Sequence, residues 1–483
     1  MTTDKPSRKG RKLRIIFVTL VVLVALTAVI GWYKFFREVP QPPFANADER
    51  FMYGSIGGEN EAGIPYWIFL VLPRMFPDYL PGPGGYASLG VAWEEGQETP
   101  IGFTKKTVGF PRVGNTCAVC HTASYRKSAD AAPVFVAAGP GHTSNVQGFF
   151  RFLRDAAADP RFNADNLLSE IGLVTELSWL DNLLYRFIII PFTKKAILER
   201  NFDWMEREDM ADWGHGRDDA MNLTKYFMLN MDEDGTYGPT DFPSIWNLQK
   251  YRPDDGMRMN WDGATYDAYS VLTDSALGIV VKPQDDFEEQ MDWMHNYLTN
   301  LPPPKYPFSV NSELAAQGKP LFVRECGGCH DSERTGKRIP LPEIGTDRHR
   351  IDSWSHAAAK AANRTASDLG VTRRGMVEDE PLDGYIAVHL DGVWLRAPYL
   401  HNGSVPTLSD LLSPAAKRPT MFYRGYDLYD PVNVGFQTQG PEAQRRGNLH
   451  DTRRRGNGNQ GHEFGTELTG DEKSALIEYL KTL

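Results

Sequence analysis

Cysteine is scarce. The 483-residue chain has four, all spent in two short boxes, Cys117-Ala118-Val119-Cys120-His121 and Cys326-Gly327-Gly328-Cys329-His330. An excess of positive charge is also missing, and a formal net charge of −10 argues against a nucleic-acid partner. A solvated acidic surface accounts for that charge, and a basic redox partner is compatible with it. Long apolar runs are nearly absent as well. Ile15 to Tyr33 runs 19 residues without a charge and ends on Trp32-Tyr33. The next candidate, Leu180 to Phe192, holds Asp181 and Arg186 and is too short to span a bilayer. It reads as a buried helix, with a helix dipping into the membrane surface as the alternative.

What is present centres on the two boxes. Both read C-x-x-C-H, the attachment site of c-type haem. On the first turns of a helix, two thiols three residues apart reach the two vinyl groups on one porphyrin edge. The following histidine then faces the iron as proximal ligand. Two C-x-x-C redox or zinc half-sites would need both trailing histidines to be coincidence. The reading is two covalently bound haem c groups, with Cys117, Cys120, Cys326 and Cys329 as thioethers and His121 and His330 on iron. Aromatic residues at 12% of the chain can supply apolar walls for them.

Along the chain, residues 1–14 carry Lys5, Arg8, Lys9, Arg11, Lys12 and Arg14 against Asp4 and read as a cytoplasmic tail. Residues 15–33 form a helix about 28 Å long, enough to cross the hydrocarbon. The positive charge before it places the N-terminus in the cytoplasm and the rest outside. A cleaved signal peptide, with Ala45-Asn46-Ala47 as its site, is the alternative. Pro40, Pro42 and Pro43 make 34–47 a stiff spacer. An N-terminal haem domain, 48–301, begins with a stretch rich in Gly, Pro and aromatics and without sustained period. In it, Ser144 and Gln147 predict a capping box before Phe149. Pro302-Pro303-Pro304 opens a linker, 302–307. A C-terminal cytochrome c domain, 308–483, has a helix over Leu314–Phe322 leading into its box. A last helix, capped by Thr469 and Glu472, turns Leu476, Tyr479 and Leu480 toward the helix that carries the box. The expected fold is mainly α: two cytochrome c-like haem domains with long irregular loops, preceded by one transmembrane helix.

The runs Gly345-Thr346-Asp347-Arg348, Ala397-Pro398-Tyr399-Leu400-His401-Asn402-Gly403-Ser404-Val405-Pro406-Thr407-Leu408 and Gly461-His462-Glu463-Phe464-Gly465-Thr466 resemble the bacterial di-haem cytochrome c peroxidase superfamily. The resemblance is nearest to the rubber-oxygenase-like di-haem c-type cytochromes. It implies a catalytic N-terminal haem and a C-terminal haem held by two histidines for electron transfer. A substrate does not carry over with a scaffold.

For the second haem the distal candidates are His462, His401 and Met421. His462 lies on a glycine-rich loop before the last helix and matches the family's distal ligand, with His401 the alternative or a pocket histidine. For the first haem His142 and His215 are conceivable ligands, each in a Gly-rich turn, and Met221, Met228 and Met231 at helical spacing read as core. The resemblance puts Trp246 and Trp261 in the first distal pocket; two core tryptophans is the plain alternative. It also implies a candidate calcium ion between the domains, to which Pro398 would lend a carbonyl, though Arg396 stands where a Thr is usual.

Two functions stay open. In the preferred one, a membrane-anchored periplasmic oxidoreductase, peroxidase- or oxygenase-like, passes electrons from the C-terminal haem to an N-terminal haem that reacts with peroxide or dioxygen. In the other, both haems are six-coordinate and the protein is a pure electron carrier. The partner is a periplasmic redox protein or a small oxidant. The charge asymmetry generates a direct test: a reporter fused after Leu483 should be active only outside the cytoplasm, and the protein should stay with membranes through a high-salt wash. Recovery of a soluble protein beginning near Asp48 would make Ala45-Asn46-Ala47 a cleavage site.

Overall fold

The computed structural model describes residues 8–200 and 202–483. The expected basic tail, 1–14, falls half outside them. Helix holds 44% of the chain, and the strands are pieces of two to six residues, so the fold is mainly α with long irregular connections.

The apolar run lies in one helix, Arg8–Phe35. From Leu13 to Ile30 its large apolar side chains are exposed, and its most apolar window is buried against nothing. Such a helix is consistent with a single-pass anchor or a signal sequence. It does not release the chain into a free spacer. Gly109 N donates to Arg37 O at 2.8 Å, and Glu38–Val39 pairs antiparallel with Phe103–Val108. Gln41 donates to the Tyr53 and Lys105 carbonyls, both at 3.1 Å, and accepts from Ser55 N at 2.7 Å. Gly109, at φ +73°, has the backbone of Lys34 and Phe35 where a Cβ would sit, so the close approach requires glycine. Proline cannot donate to a ladder, so Glu38, Val39 and Gln41 do the pinning that the neighbouring prolines cannot.

The stretch expected to be irregular holds the largest sheet among the described residues. Its order is Glu38–Val39, Phe103–Val108, Phe110–Asn115, Ile64–Pro65, all antiparallel. A one-residue break at Gly109 and Pro111 within a strand hid the hairpin from a period-2 reading. Beside it Phe69 stacks on Tyr86 at 4.2 Å, and Phe103 meets Phe149 edge-on at 5.2 Å. Phe149 comes from the helix Val146–Ala158, which is capped by Asn145 and not by the expected Ser144. Asn145 Oδ1 accepts from Gly148 N at 2.8 Å. Gln147 turns inward, donating to Met205 O at 3.1 Å and accepting from Trp213 N at 2.8 Å, so it is not free to close a capping box.

Leu180 to Phe192 is helical but is not buried. Trp179–Leu184 and Ile190–Leu198 flank a π turn, Tyr185–Ile189. Tyr185, Ile189 and Ile190 point inward, whereas Leu183, Phe187 and Phe192 are exposed, the last two to 68% and 70%. Apolar residues on both sides of the helix made it read as core from composition alone.

In the C-terminal region the helix Ser312–Glu325 runs into the second box and packs against Gly470–Leu480, whose N-terminus carries the expected Thr469/Glu472 capping box. Phe322 and Tyr479 meet at 5.2 Å. The helices touch most closely at Gly318, where a Cβ would run into the Ala475 carbonyl. The regions before and after the polyproline stretch are not separate in packing. One hydrophobic cluster runs from Phe51 and Met294 through Trp394 to Leu480, and Trp394 Nε1 donates to Pro304 O at 2.9 Å, tying the polyproline stretch to it.

Gly318→Ala should therefore destabilise the protein by about 1–3 kcal/mol through overpacking. Gly470→Ala, where nothing lies within 4 Å, should change stability by no more than about 0.5 kcal/mol. Thermal denaturation of the two variants distinguishes helix contact from general glycine loss.

Candidate haem sites

The first box follows the strand Phe110–Asn115. Thr116 Oγ1 accepts from Ala118 N at 3.1 Å and opens a single 3₁₀ turn, Cys117–Val119. His121 N donates to Cys117 O at 2.9 Å, and the strand Thr122–Tyr125 begins at once. The box thus sits in a turn between strands and not on the first turns of a helix as expected. One closed i, i+4 turn suffices to bring the first thiol and the histidine to one side of the chain. His121 Nδ1 lies 2.9 Å from Pro243 O. A carbonyl only accepts, so Nδ1 carries the hydrogen and Nε2 keeps a lone pair for a metal. Desolvation lowers the His121 pKa to about 4, leaving the neutral ring that ligation needs.

The second box repeats this chemistry on a helix. Cys326 ends Ser312–Glu325, and its carbonyl accepts from Cys329 N at 3.1 Å and His330 N at 3.0 Å. His330 Nδ1 donates to Val388 O at 2.7 Å, freeing Nε2 in the same way. Facing it is His462, with ring centres 6.3 Å apart and planes at 48°. Two imidazoles on opposite sides of one metal, with bonds of about 2.0 Å, have ring centres about 6 Å apart. The loop bearing His462 is clamped: His462 N donates to Ile344 O at 2.7 Å, and Arg418 reaches the carbonyls of Asn459, Gly461 and His462 at 2.6, 2.7 and 3.1 Å. Desolvation, with His330 adding to it, lowers the His462 pKa to about 4.

All four thiols are free of disulfides. Burial pushes Cys117 up to about 11 and Cys326 up to about 12, and holds Cys120 and Cys329 above the usual thiol value. One cavity of about 1930 Å³ is lined by both boxes. A drug-sized pocket is about 300–1,000 Å³, so the space exceeds what a single small ligand needs. Free thiols, neutral imidazoles with available Nε2 atoms and apolar walls fit covalently bound haem c.

The other candidates separate clearly. Trp246 and Trp261 line the cavity, each with its indole N–H spent on a backbone carbonyl, Asp391 O and Asp241 O, both at 3.0 Å. His401 lines it too, stacked on Tyr385 at 3.9 Å. Met221, Met228 and Met231 are also in its wall. His142 and His215 lie elsewhere: the first stacks on Phe436 at 3.8 Å, and the second holds Asn448 Oδ1 at 2.8 Å. Met421 is half exposed on a strand, against Arg453. Pro398 follows a cis bond, and Arg396 donates to the carbonyls of His389 and Asp391. Among the described residues no group of three or more His, Cys, Asp or Glu forms a metal cluster.

Two cavity residues escaped the sequence reading. His389 follows the carbonyl that orients His330, meets Tyr251 edge-on at 5.1 Å and keeps a buried, unpartnered Nε2. Asp218 faces the first box, and burial together with neighbouring Asp219 raises its pKa to about 7. Neither stands in a motif, and only the fold brings them to the boxes.

The geometry describes a c-type cytochrome site, and comparison with known proteins agrees. A family model described as RoxA-like, cytochrome c-like matches residues 384–423, a stretch that holds Val388, His389 and the run from Ala397 to Leu408. A cytochrome c-like domain implies covalently bound haem c. Two uncharacterized proteins of Sinorhizobium fredii (strain NBRC 101917 / NGR234) are similar to the chain. Protein y4iM is 32% identical over 50% of this chain and 64% of its own length, and y4iJ is 28% identical over 77% of each. The chain thus spans less than two thirds of the first of these relatives.

Replacing Cys326 and Cys329 together with Ala should lower the haem content from two to one per polypeptide, measured as the pyridine haemochrome against protein mass. A ratio that the double change leaves unaltered would remove the second site.

Proposed function

We propose that the chain is a membrane-anchored periplasmic di-haem c-type cytochrome. In this reading region 308–483 holds a haem between His330 and His462, and region 48–301 holds one on His121 that is open to a small oxidant. The observation that carries it is the difference between the two histidines. His330 faces a second imidazole at 6.3 Å, whereas among the described residues the ring contact of His121 is with Phe242, at 6.4 Å, next to the Pro243 that holds its Nδ1, and no second imidazole pairs with it. When bound, the two haems supply electron transfer at the closed site and reaction with peroxide or dioxygen at the open one.

The protein's own part is orientation and exclusion. Pro243 O and Val388 O fix the two proximal rings, and Arg418 holds the His462 loop in place. Trp246 and Trp261, their N–H groups already engaged, present apolar faces that keep water from the first pocket. The Tyr251–His389 pair, beside Val388, places aromatic rings along the cavity wall near the second box. The carrier reading keeps one specific support: Met221, Met228 and Met231 line the same cavity, and a thioether on the first iron would close it.

An open first site predicts one equivalent of cyanide bound per protein, and one of carbon monoxide after reduction. Binding of neither, with both haems low-spin, would leave a carrier. His462→Gly should convert one of two haems from low to high spin and raise its potential, because an imidazole that favours ferric iron is lost. The same change from His401→Gly would reverse the assignment. Electron spin resonance and a redox titration read both outcomes.

A further inference from the structure

The outer helical segment 179–198 carries a face that none of the described residues covers. Trp179 is 75% exposed, Leu183 is exposed, and Phe187 and Phe192 are exposed to 68% and 70%. A spacing of four puts Trp179, Leu183 and Phe187 on one side; Phe192, beyond the π turn, and Leu173, just before the helix, are exposed too. Large aromatic side chains gathered in this way on a surface mark an interaction site. The charges of the segment are mostly turned aside: Arg186 pairs with Asp165 at 2.5 Å, and Lys194 donates to Phe162 O at 3.0 Å. Lys195 and Glu199 pair with each other at the far end.

The position of this face follows from the anchor. Lys34, in the last turn of Arg8–Phe35 and directly after Trp32-Tyr33, binds Asp181 in the first turn of the outer helix at 2.6 Å. Phe35 meets Phe110 edge-on at 6.2 Å, and Phe110 meets Tyr185 at 6.2 Å. Trp and Tyr settle at the membrane–water interface, so these contacts hold the outer helix at interfacial depth. Ile188 and Phe192, both exposed, and Ile197 of the same helix border the cavity that also contains Cys117 and His121, and Phe35 lines it too.

We infer that segment 179–198 is a second membrane contact, seated in the outer lipid interface beside the anchor. The cavity of the first box opens to the bilayer there and admits apolar, membrane-dissolved molecules. This rests on the proposed anchoring. A helix with one apolar face buried by roughly 5–10 Å at the headgroup boundary needs no further protein partner.

The test uses the full-length holoprotein in phosphatidylcholine–phosphatidylglycerol liposomes. A diazirine-bearing phosphatidylcholine reports lipid contact, and a diazirine-bearing fatty alcohol dissolved in the bilayer reports entry. The phospholipid should label residues 15–33 and 179–192, and the alcohol should also label the cavity wall at Val146, Phe149 or Leu153. Leu183→Glu with Phe187→Glu should reduce label at 179–192 by about fivefold while label at 15–33 and the haem absorption spectrum stay as they were. Phospholipid label confined to 15–33, or cross-links joining 179–192 of two copies in its place, overturns the seat and leaves the anchor standing. Alcohol label absent from the cavity wall overturns the opening to the bilayer. No label at 15–33 removes the anchor itself.

Discussion

The hydrogen bond from the histidine of each box to a distant carbonyl is the constraint on which the rest of the structure depends. A C-x-x-C-H box supplies thiols and a ring within one turn, but the turn alone does not decide which ring nitrogen is free. His121 takes its answer from Pro243, 122 residues away, and His330 from Val388, 58 residues away. Both partners are backbone carbonyls, which can only accept, so each fixes the tautomer and leaves Nε2 toward the cavity. The chain between box and carbonyl must therefore fold before the site is defined.

The two boxes differ in what surrounds them. The second stands on a long helix whose contact with Gly470–Leu480 leaves no room for a side chain at Gly318, a rigid base. The first sits in a turn between short strands, and the same sheet takes up Glu38–Val39 directly after the apolar helix. Rigidity at the first box thus comes from a sheet that is also joined to the end of that helix, so the orientation of the box and of the helix are one structural fact.

The sequence carried what covalent chemistry or a cap dictates. Two boxes, the helix into Cys326, the Thr469/Glu472 cap and the run from Ala397 that falls within the matched family stretch were all legible, because each needs particular residues at a fixed spacing. What depends on tertiary partners was not. Asn145 and Ser144 are equally good caps by residue type, and Gln147 decides between them by turning to Met205 and Trp213. Leu180 to Phe192 has the composition of a core helix, and only the placement of Tyr185 and Ile189 against the protein shows which side was left outside. His389 has no motif at all; it enters the site because Val388, beside it, orients His330.

Charge completes the union of the two regions. Arg350 grips Asp262 with bonds of 2.7 and 3.1 Å, both side chains almost wholly buried, and Arg424 pairs with Asp241, equally buried. Arg217 donates to Asn457 at 2.8 Å. Each contact joins a residue before the polyproline stretch to one after it. A buried ion pair adds little net stability compared with apolar packing, but a buried charge left without its partner costs several kcal/mol, about 3–5. Neither region can thus bury its half of these pairs alone. The arrangement favours folding of the regions before and after the polyproline stretch as one unit, and both boxes line a single cavity.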